Sequence, residues 1–533
     1  DYTDDQRSQK GYEGLKTSDQ ITYQLTANVD WKAFSESGSL YETNEYYETH
    51  PAADNNFPSI RQLRSCAVFE GNAKERVISG LSVTESANKK AGLYGEKSTG
   101  ATGVFLENKG TLREFSLDCI QVAGTEKTGA FCGVNSGKLE GLQTLSSKPD
   151  ESPSIVTGTL DVGGITGAQS GEEEGDEVVY ESLVNRASVI GNTYVGGIIG
   201  RMETLEDKEF QIKACKNYGR VEAVRGSSDA PDSGRYIGGI AGYCKNTSGE
   251  TSRVEIRDCV SSPQYTDAEL KAWLAEPEGL EPKLNGVYVG GIVGYNDGAS
   301  VAVCRTENEE GKSGYVFGYQ YVGGIAGFSE GTEEGIDGTL SGGKSGVNEA
   351  HVIGNSYVGG IVGCSAAVGG TDQNGIVIPD QRADYTLQVN RWINKGMVAA
   401  TGSYAGGITG YNTGSKGILS AVCYVNGGSY AGGIVGYNDV NAVVEDYEVA
   451  GGYIRSSGSY VGGYAGFNAS LAFFMDEDTR ERSLHSNPNE VKGRYCVGGT
   501  IGGNVIAVGG TDISADFKTD NFLGKLSADA FAG

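Results

Sequence analysis

One nine-residue stretch, Tyr288-Val-Gly-Gly-Ile-Val-Gly-Tyr-Asn296, recurs along the chain and limits what it can fold into. Close copies begin at Tyr194, Tyr236, Tyr321, Tyr357, Tyr404, Tyr430 and Tyr460, and a worn copy begins at Cys496. Two more degenerate copies occupy Asp161–Gly167 and Thr128–Asn135. Start-to-start spacings from Tyr194 to Cys496 are 42, 52, 33, 36, 47, 26, 30 and 36 residues. A unit of 26 residues is too small to own a core, but it can form one coil of a solenoid that buries its face against the next coil. The longer spacings then read as the same coil with loops spliced in. Propeller blades have a comparable mean period, but they tolerate such uneven spacing poorly and carry a Trp-Asp signature that this chain lacks.

The residue types say what each coil is made of. Tyr, Phe, Val and Ile dominate the apolar positions and favour strands. Paired glycines let neighbouring backbones approach closely or let the chain bend at a corner. Downstream runs such as Lys216–Ala223 and Asn394–Ala400 read as a turn and a further strand. A coil of two or three short strands is expected, and the whole as an all-β parallel β-helix of roughly 11–13 coils with loop insertions and one short helical insert. Equivalent positions then stack about 4.8 Å apart. Tyr243, Tyr295, Phe328, Tyr411, Tyr437 and Phe467 should form an aromatic column, and Asn296, Asn412, Asn438 and Asn468 an asparagine column at a turn. Both columns read first as structural; a Tyr row that stacks on sugars is the sharper alternative.

Glycine reaches 84 of 533 residues without a Gly-X-Y period, which excludes collagen, and only 10 prolines argue against a low-complexity disordered chain. The net charge of −26 disfavours nucleic acid and anionic membranes as partners. No apolar run is long enough to span a membrane. Residues 1–60 read as an arm and N-terminal cap, and 61–533 as the solenoid. The last residues, Ser527–Gly533, resemble the lead-in Thr401–Gly406, so the sequence is expected to stop inside a further repeat of a longer protein.

The ten cysteines include no C-x-x-C pair. Cys132, Cys215, Cys259, Cys304, Cys364 and Cys423 fall at core positions and read as buried free thiols, with disulfides the alternative. Zinc is not expected, because His50, His351 and His485 are the only histidines and no ligand cluster forms around them. The helical insert is placed at Thr266–Glu276, with a Thr266/Glu269 capping box, an apolar face of Leu270, Trp273 and Leu274, and Pro277 as the stop. Ser170–Asp176 reads as a solvated acidic loop. The matching tracts Ala367–Asp372 and Ala507–Asp512 open loops without the EF-hand ligand spacing.

The Tyr-Val-Gly-Gly-Ile-Val-Gly-Tyr-Asn units resemble the GLUG-type repeats of bacterial surface proteins, found in large adhesins and in the repeat region of IgA-specific metalloproteases of Gram-positive bacteria. The series Phe69-Glu-Gly-Asn72, Val77–Val83 and Gly92–Gly95 is similar to the segment that opens such regions. The resemblance covers about residues 60 to 533 and implies an extracellular, wall-attached or secreted β-helical stalk or binding surface. The chain carries neither a sorting motif nor a His-Glu-x-x-His site, so proteolysis is not carried over.

No Gly-x-Ser-x-Gly elbow or Walker loop is present, and the repeated glycines miss the G-x-G-x-x-G spacing of a dinucleotide loop. The expected function is therefore a non-catalytic extracellular scaffold, adhesin-like, that meets a host or bacterial surface glycan or protein or serves as a stalk. No catalytic residue, cofactor or metal is assigned. The alternative is a polysaccharide lyase or glycoside hydrolase, which would need converging carboxylates and basic groups from adjacent coils and a strongly shifted carboxyl.

Overall fold

A computed structural model describes residues 21–36, 57–71, 76–90, 92–93, 100–170, 178–203, 209–224, 235–246, 253–262, 286–307, 314–331, 336–337, 346–367, 389–417, 419–439, 442–445, 447–470, 472–474, 489–504 and 525–528. The chain winds as a parallel β-helix. Its strands stack into two thirteen-stranded sheets, an eleven-stranded sheet and further ladders, each pairing parallel. Thirteen rungs at the parallel-strand spacing make a rod about 60 Å long.

A complete coil uses five short strands, more than the two or three expected. Glu126–Gly129, Cys132–Asn135, Lys138–Glu140, Gln143–Thr144 and Ile155–Thr157 form one circuit. Leu160–Gly163, Thr166–Gln169, Val179–Glu181, Val184–Asn185 and Ser188–Gly191 form the next, directly above it. The sequence marks two of the five strongly, because only the Tyr-Val-Gly-Gly and Ile-x-Gly-Tyr-Asn halves are nearly invariant. The 26-residue coil fits by fusing its last two strands into one, Leu419–Gly427. Strands Ile21–Gln24 and Val29–Asp30 pair with Ala67–Glu70 and Val77–Ser79, so the first rungs come from residues before 61.

The main core is one long apolar column, with a small separate cluster of Tyr315, Ile353 and Ala399 beside it. Val195, Ile198 and Ile199, then Ile240 and Ala241, then Ile292 and Val293 are all fully buried. Among the described residues helix is confined to Trp31–Glu36 and Glu85–Lys90. The helix expected at Thr266–Glu276, the acidic stretch after Ser170 and the tracts after Ala367 and Val505 lie outside the described residues. No described helix is long and apolar enough to cross a membrane.

The glycines of the repeat are fixed by three different close approaches, visible in the copy Tyr357–Gly363. A methyl on Gly359 would sit 1.9 Å from the Val362 carbonyl oxygen, across the arch within the same coil. One on Gly360 would meet the Gly407 carbonyl oxygen at 2.1 Å, in the following coil, and one on Gly363 the Val322 nitrogen at 2.5 Å, in the preceding coil. The Gly-Gly-x-x-Gly spacing thus records an arch whose two strands lie nearly backbone on backbone.

Candidate functional site

The open mouth of this arch is lined by aromatic rings. The expected column is placed in direct register: Tyr243 opposite Tyr295, Tyr295 opposite Phe328, Tyr411 opposite Tyr437, and Tyr437 opposite Phe467. Cys364 occupies the rung between Phe328 and Tyr411. Stacked centroids in this column lie 5.0 to 5.1 Å apart from Tyr295 to Phe328 and from Tyr411 to Phe467.

A second column, not singled out from sequence, is more continuous. The first Tyr of each copy stacks on the next from Tyr194 through Tyr236, Tyr288, Tyr321, Tyr357, Tyr404 and Tyr430 to Tyr460. Centroid separations run from 4.6 Å for Tyr321–Tyr357 to 5.1 Å for Tyr430–Tyr460. The invariance of that Tyr from copy to copy was the available signal. The two columns meet edge to face, as in Tyr288–Tyr295 and Tyr404–Tyr411.

This geometry decides against the sugar-stacking alternative for the column interior. A pyranose stacks on a ring face, and here each interior ring of the Tyr194–Tyr460 column has a ring above and below, while in the other column Phe328 and Tyr411 have a ring on one side and Cys364 on the other. The half-buried rings offer solvent only their edges and hydroxyls. Several hydroxyls are already engaged: Tyr243 donates to Asp297, Tyr295 to Glu330 and Tyr411 to Asp439, each in the next coil. Burial, with the neighbouring carboxylate, holds all three phenols well above their usual titration range.

Seven of the eight Tyr in the second column, Tyr288 excepted, adopt left-handed backbone, with φ between 51° and 67°. A bulky residue there costs roughly 1–2 kcal/mol, which ring stacking must offset. Tyr357→Gly, which relieves the backbone, is therefore expected to be less destabilising than Tyr357→Ala by about 1 kcal/mol. Paired urea titrations check this, and an alanine variant at least as stable as the glycine one would contradict it.

The aromatic mouth begins with an ion pair. Where later coils place two rings, Asp161 and Arg201 face each other, with Nε–Oδ1 3.0 Å and Nη2–Oδ2 3.1 Å. Burial pushes the Asp161 carboxyl up to about 6, against the opposing pull of Arg201. The unfolded value is about 3.9, so the folded state holds this proton more tightly. The contribution of this group to stability is full below about pH 4 and is lost as pH rises through about 6. Asp161→Asn keeps the protonated shape and should gain on the native protein by about 2–3 kcal/mol between pH 4 and pH 7. Denaturation midpoints of both proteins across that range are the check; parallel curves would contradict it.

The asparagine column lies inside the rod. Asn296, Asn412, Asn438 and Asn468 are fully buried. Asn412 Nδ2 donates to Asn438 Oδ1 at 2.8 Å, and Asn438 Nδ2 to Asn468 Oδ1 at 2.9 Å. Asn296 donates instead to Ser329 Oγ at 3.2 Å. The oxygens of Asn296, Asn412 and Asn468 also take a turn amide, from Ala299, Gly414 and Ser470. A second buried ladder, Asn185 to Asn217 and Asn348 to Asn394, runs at another corner. These amides bind the coils to one another and are closed to a ligand.

The cysteines with placed side chains are free thiols. Cys215, Cys259 and Cys304 sit in successive coils and donate to the carbonyls of Lys213, Arg257 and Ala302. Burial pushes the Cys132 thiol up to about 12, which leaves it unreactive at neutral pH. Among the described residues no group of three or more His, Cys, Asp or Glu side chains is arranged to hold a metal.

A shallow cavity of about 360 Å³ is lined by Arg113, Glu114, Glu140, Gly141, Glu181 and Ser182 from successive coils. It brings together acids and a base, as a polysaccharide-cleaving site would require. Among the described residues the carboxyl shifted strongly upward, Asp161, sits elsewhere, on the strand Leu160–Gly163 at the arch, tied to Arg201. The two ingredients of the enzymatic alternative therefore do not coincide.

No family model and no curated protein matches the chain. A solved structure that does match is a "putative immunoglobulin A1 protease" from Bacteroides ovatus, at 18% identity and a TM-score of 0.32, covering 55% of this chain and 70% of that one. A likeness of that size carries no argument about function.

Proposed function

We propose that this chain is a non-catalytic, extracellular β-solenoid scaffold of the adhesin type, displayed on a bacterial surface and meeting a glycan or protein there. One observation carries the reading: the repeated aromatic and amide groups are spent on joining coil to coil. What varies between coils is the outward-facing residues, so recognition falls to the flanks of a stiff rod. The likeness of the repeats to GLUG-type units points the same way for location.

Arrays of glycans and extracellular matrix proteins, probed with the purified chain, test this. Saturable binding to one class of surface molecule is the expected result. Incubation with plant, mucin and host polysaccharides is the counter-test. New reducing ends or unsaturated products would replace the scaffold with the lyase or hydrolase reading.

A further inference from the structure

On one flank of the late coils the strands Leu419–Gly427, Tyr447–Ser456 and Glu490–Gly493 lie side by side. Val425, Ile454 and Val491 point inward and are fully buried. Their neighbours point outward and form a small grid. Tyr424 pairs with Tyr453 and Tyr453 with Glu490, while Asn426 pairs with Arg455 and Arg455 with Lys492. Arg494, two residues beyond Lys492, extends the last row and is anchored by its amide to the Gly458 carbonyl at 3.0 Å. Adjacent rungs are about 4.8 Å apart and alternate residues about 6.6 Å apart, so the grid is sized for two or three sugar rings.

Two properties set this patch apart from the aromatic mouth. Its aromatic run is only two rungs long and is not stacked: Tyr424 and Tyr453 meet at 5.2 Å and 73°. Met397 precedes Tyr424 and Glu490 follows Tyr453 in the column, so no ring covers Tyr424 from the preceding rung. Tyr424 is 41% exposed and Tyr495, beside Arg494, 38%. Its charge is also opposite in sign to that of the protein. Arg455, Lys492 and Arg494 are all exposed, against one acid in the grid among the described residues, Glu490, on a chain of net charge −26. Arg455 lies over the Tyr453 ring at 4.1 Å and Arg494 over Tyr495 at 5.2 Å, which holds both guanidinium groups against the face of the patch. Glu490 accepts two bonds from Arg455, at 3.1 and 2.6 Å.

We propose that this patch binds a short acidic oligosaccharide. Tyr424 packs against the C–H face of a pyranose, Asn426 reads its hydroxyls, and Lys492 and Arg494 hold its carboxylate or sulfate. The local cluster can act within an acidic protein because charges beyond about 8 Å are screened at physiological ionic strength. The same global charge disfavours a long polyanion that would run along the rest of the rod. This inference rests on the scaffold reading and names its ligand class.

Calorimetric titration of the whole chain with a panel of hexasaccharides tests it. The panel holds an oligogalacturonate, its carboxyl-reduced neutral counterpart and a sulfated chondroitin fragment, with hexaglutamate as an acidic peptide. At least one acidic saccharide should bind, at least about tenfold tighter than the neutral one. Tyr424→Ala and Lys492→Gln should each weaken it by about tenfold, and Tyr424→Phe should retain it. Both positions are on the surface, so unchanged melting temperatures would show that the variants fold. The inference is overturned if no acidic saccharide binds, if the neutral one binds equally well, if hexaglutamate binds as tightly, or if the variants bind like the native chain. Binding of another glycan or a protein on the arrays, undisturbed by these variants, would leave the scaffold reading standing while this one fails.

Discussion

Gly359→Ala is expected to destabilise the middle of the rod by about 3–5 kcal/mol, near the upper end for a single added methyl. The methyl would lie 1.9 Å from the Val362 carbonyl oxygen and 2.7 Å from that of Ile408, both backbone atoms held in sheets. Neither can retreat without opening the pairing of Tyr357–Gly359 with its neighbours, which ties Val358 to Val322 below and to Ala405 above. Because each coil contacts only its neighbours, the damage should be local. Hydrogen exchange should accelerate over about residues 320–410, while the coils near Val162 and Val461 keep their protection. The control is Gly451→Ala, where the nearest atom to the added methyl, the Asn489 side-chain nitrogen, is 4.0 Å away. Its left-handed φ of 66° leaves only a backbone cost of about 1 kcal/mol. Equal losses in the two variants would mean that the arch is not held by contact at Gly359.

How much of this could be read from the chain follows from what repetition exposes. Register was legible, because a parallel coil turns sequence period into spatial column. Tyr295, Phe328, Asn412 and Asn438 lie opposite the neighbours that the repeat assigns them. Conformation within the coil was less so. Nothing in a Tyr codon position announces a left-handed backbone, and the usual rule reserves that region for Gly and Asn; only the arch makes it tolerable at Tyr357. The weakly marked strands were missed for a related reason. Gln143–Thr144 and Val184–Asn185 are two residues long and carry no pattern of their own. Asn217 reads as part of a turn in sequence, and only its placement one rung from Asn185 makes the two a ladder. The Tyr424–Arg494 patch depends on outward residues of three strands separated by irregular inserts, so no repeat could point to it.

The asparagine column carries the second large effect. Asn438→Ala removes both the acceptor for Asn412 and the donor to Asn468, leaving two fully buried amide groups short of a partner. Each net bond is worth about 1 kcal/mol and each orphaned buried group about 1–3 kcal/mol, so a loss of about 2–4 kcal/mol is expected. The column itself supplies the rescue. Ser329 and Ser365 occupy it in place of asparagine, and Ser329 accepts from Asn296. Asn438→Ser should therefore recover about 1 kcal/mol relative to alanine. A double-mutant cycle separates a ladder from independent side chains. Once Asn438 is gone, Asn468→Ala deletes one bond fewer, so the double variant should lose less than the sum by about 1 kcal/mol. Exchange rates at the Gly414 and Ser470 amides, which bond Asn412 and Asn468, report the same coupling from either side. If the two substitutions add, and serine is no better than alanine, the buried amides are spectators and the coils are joined by backbone pairing and apolar contact alone.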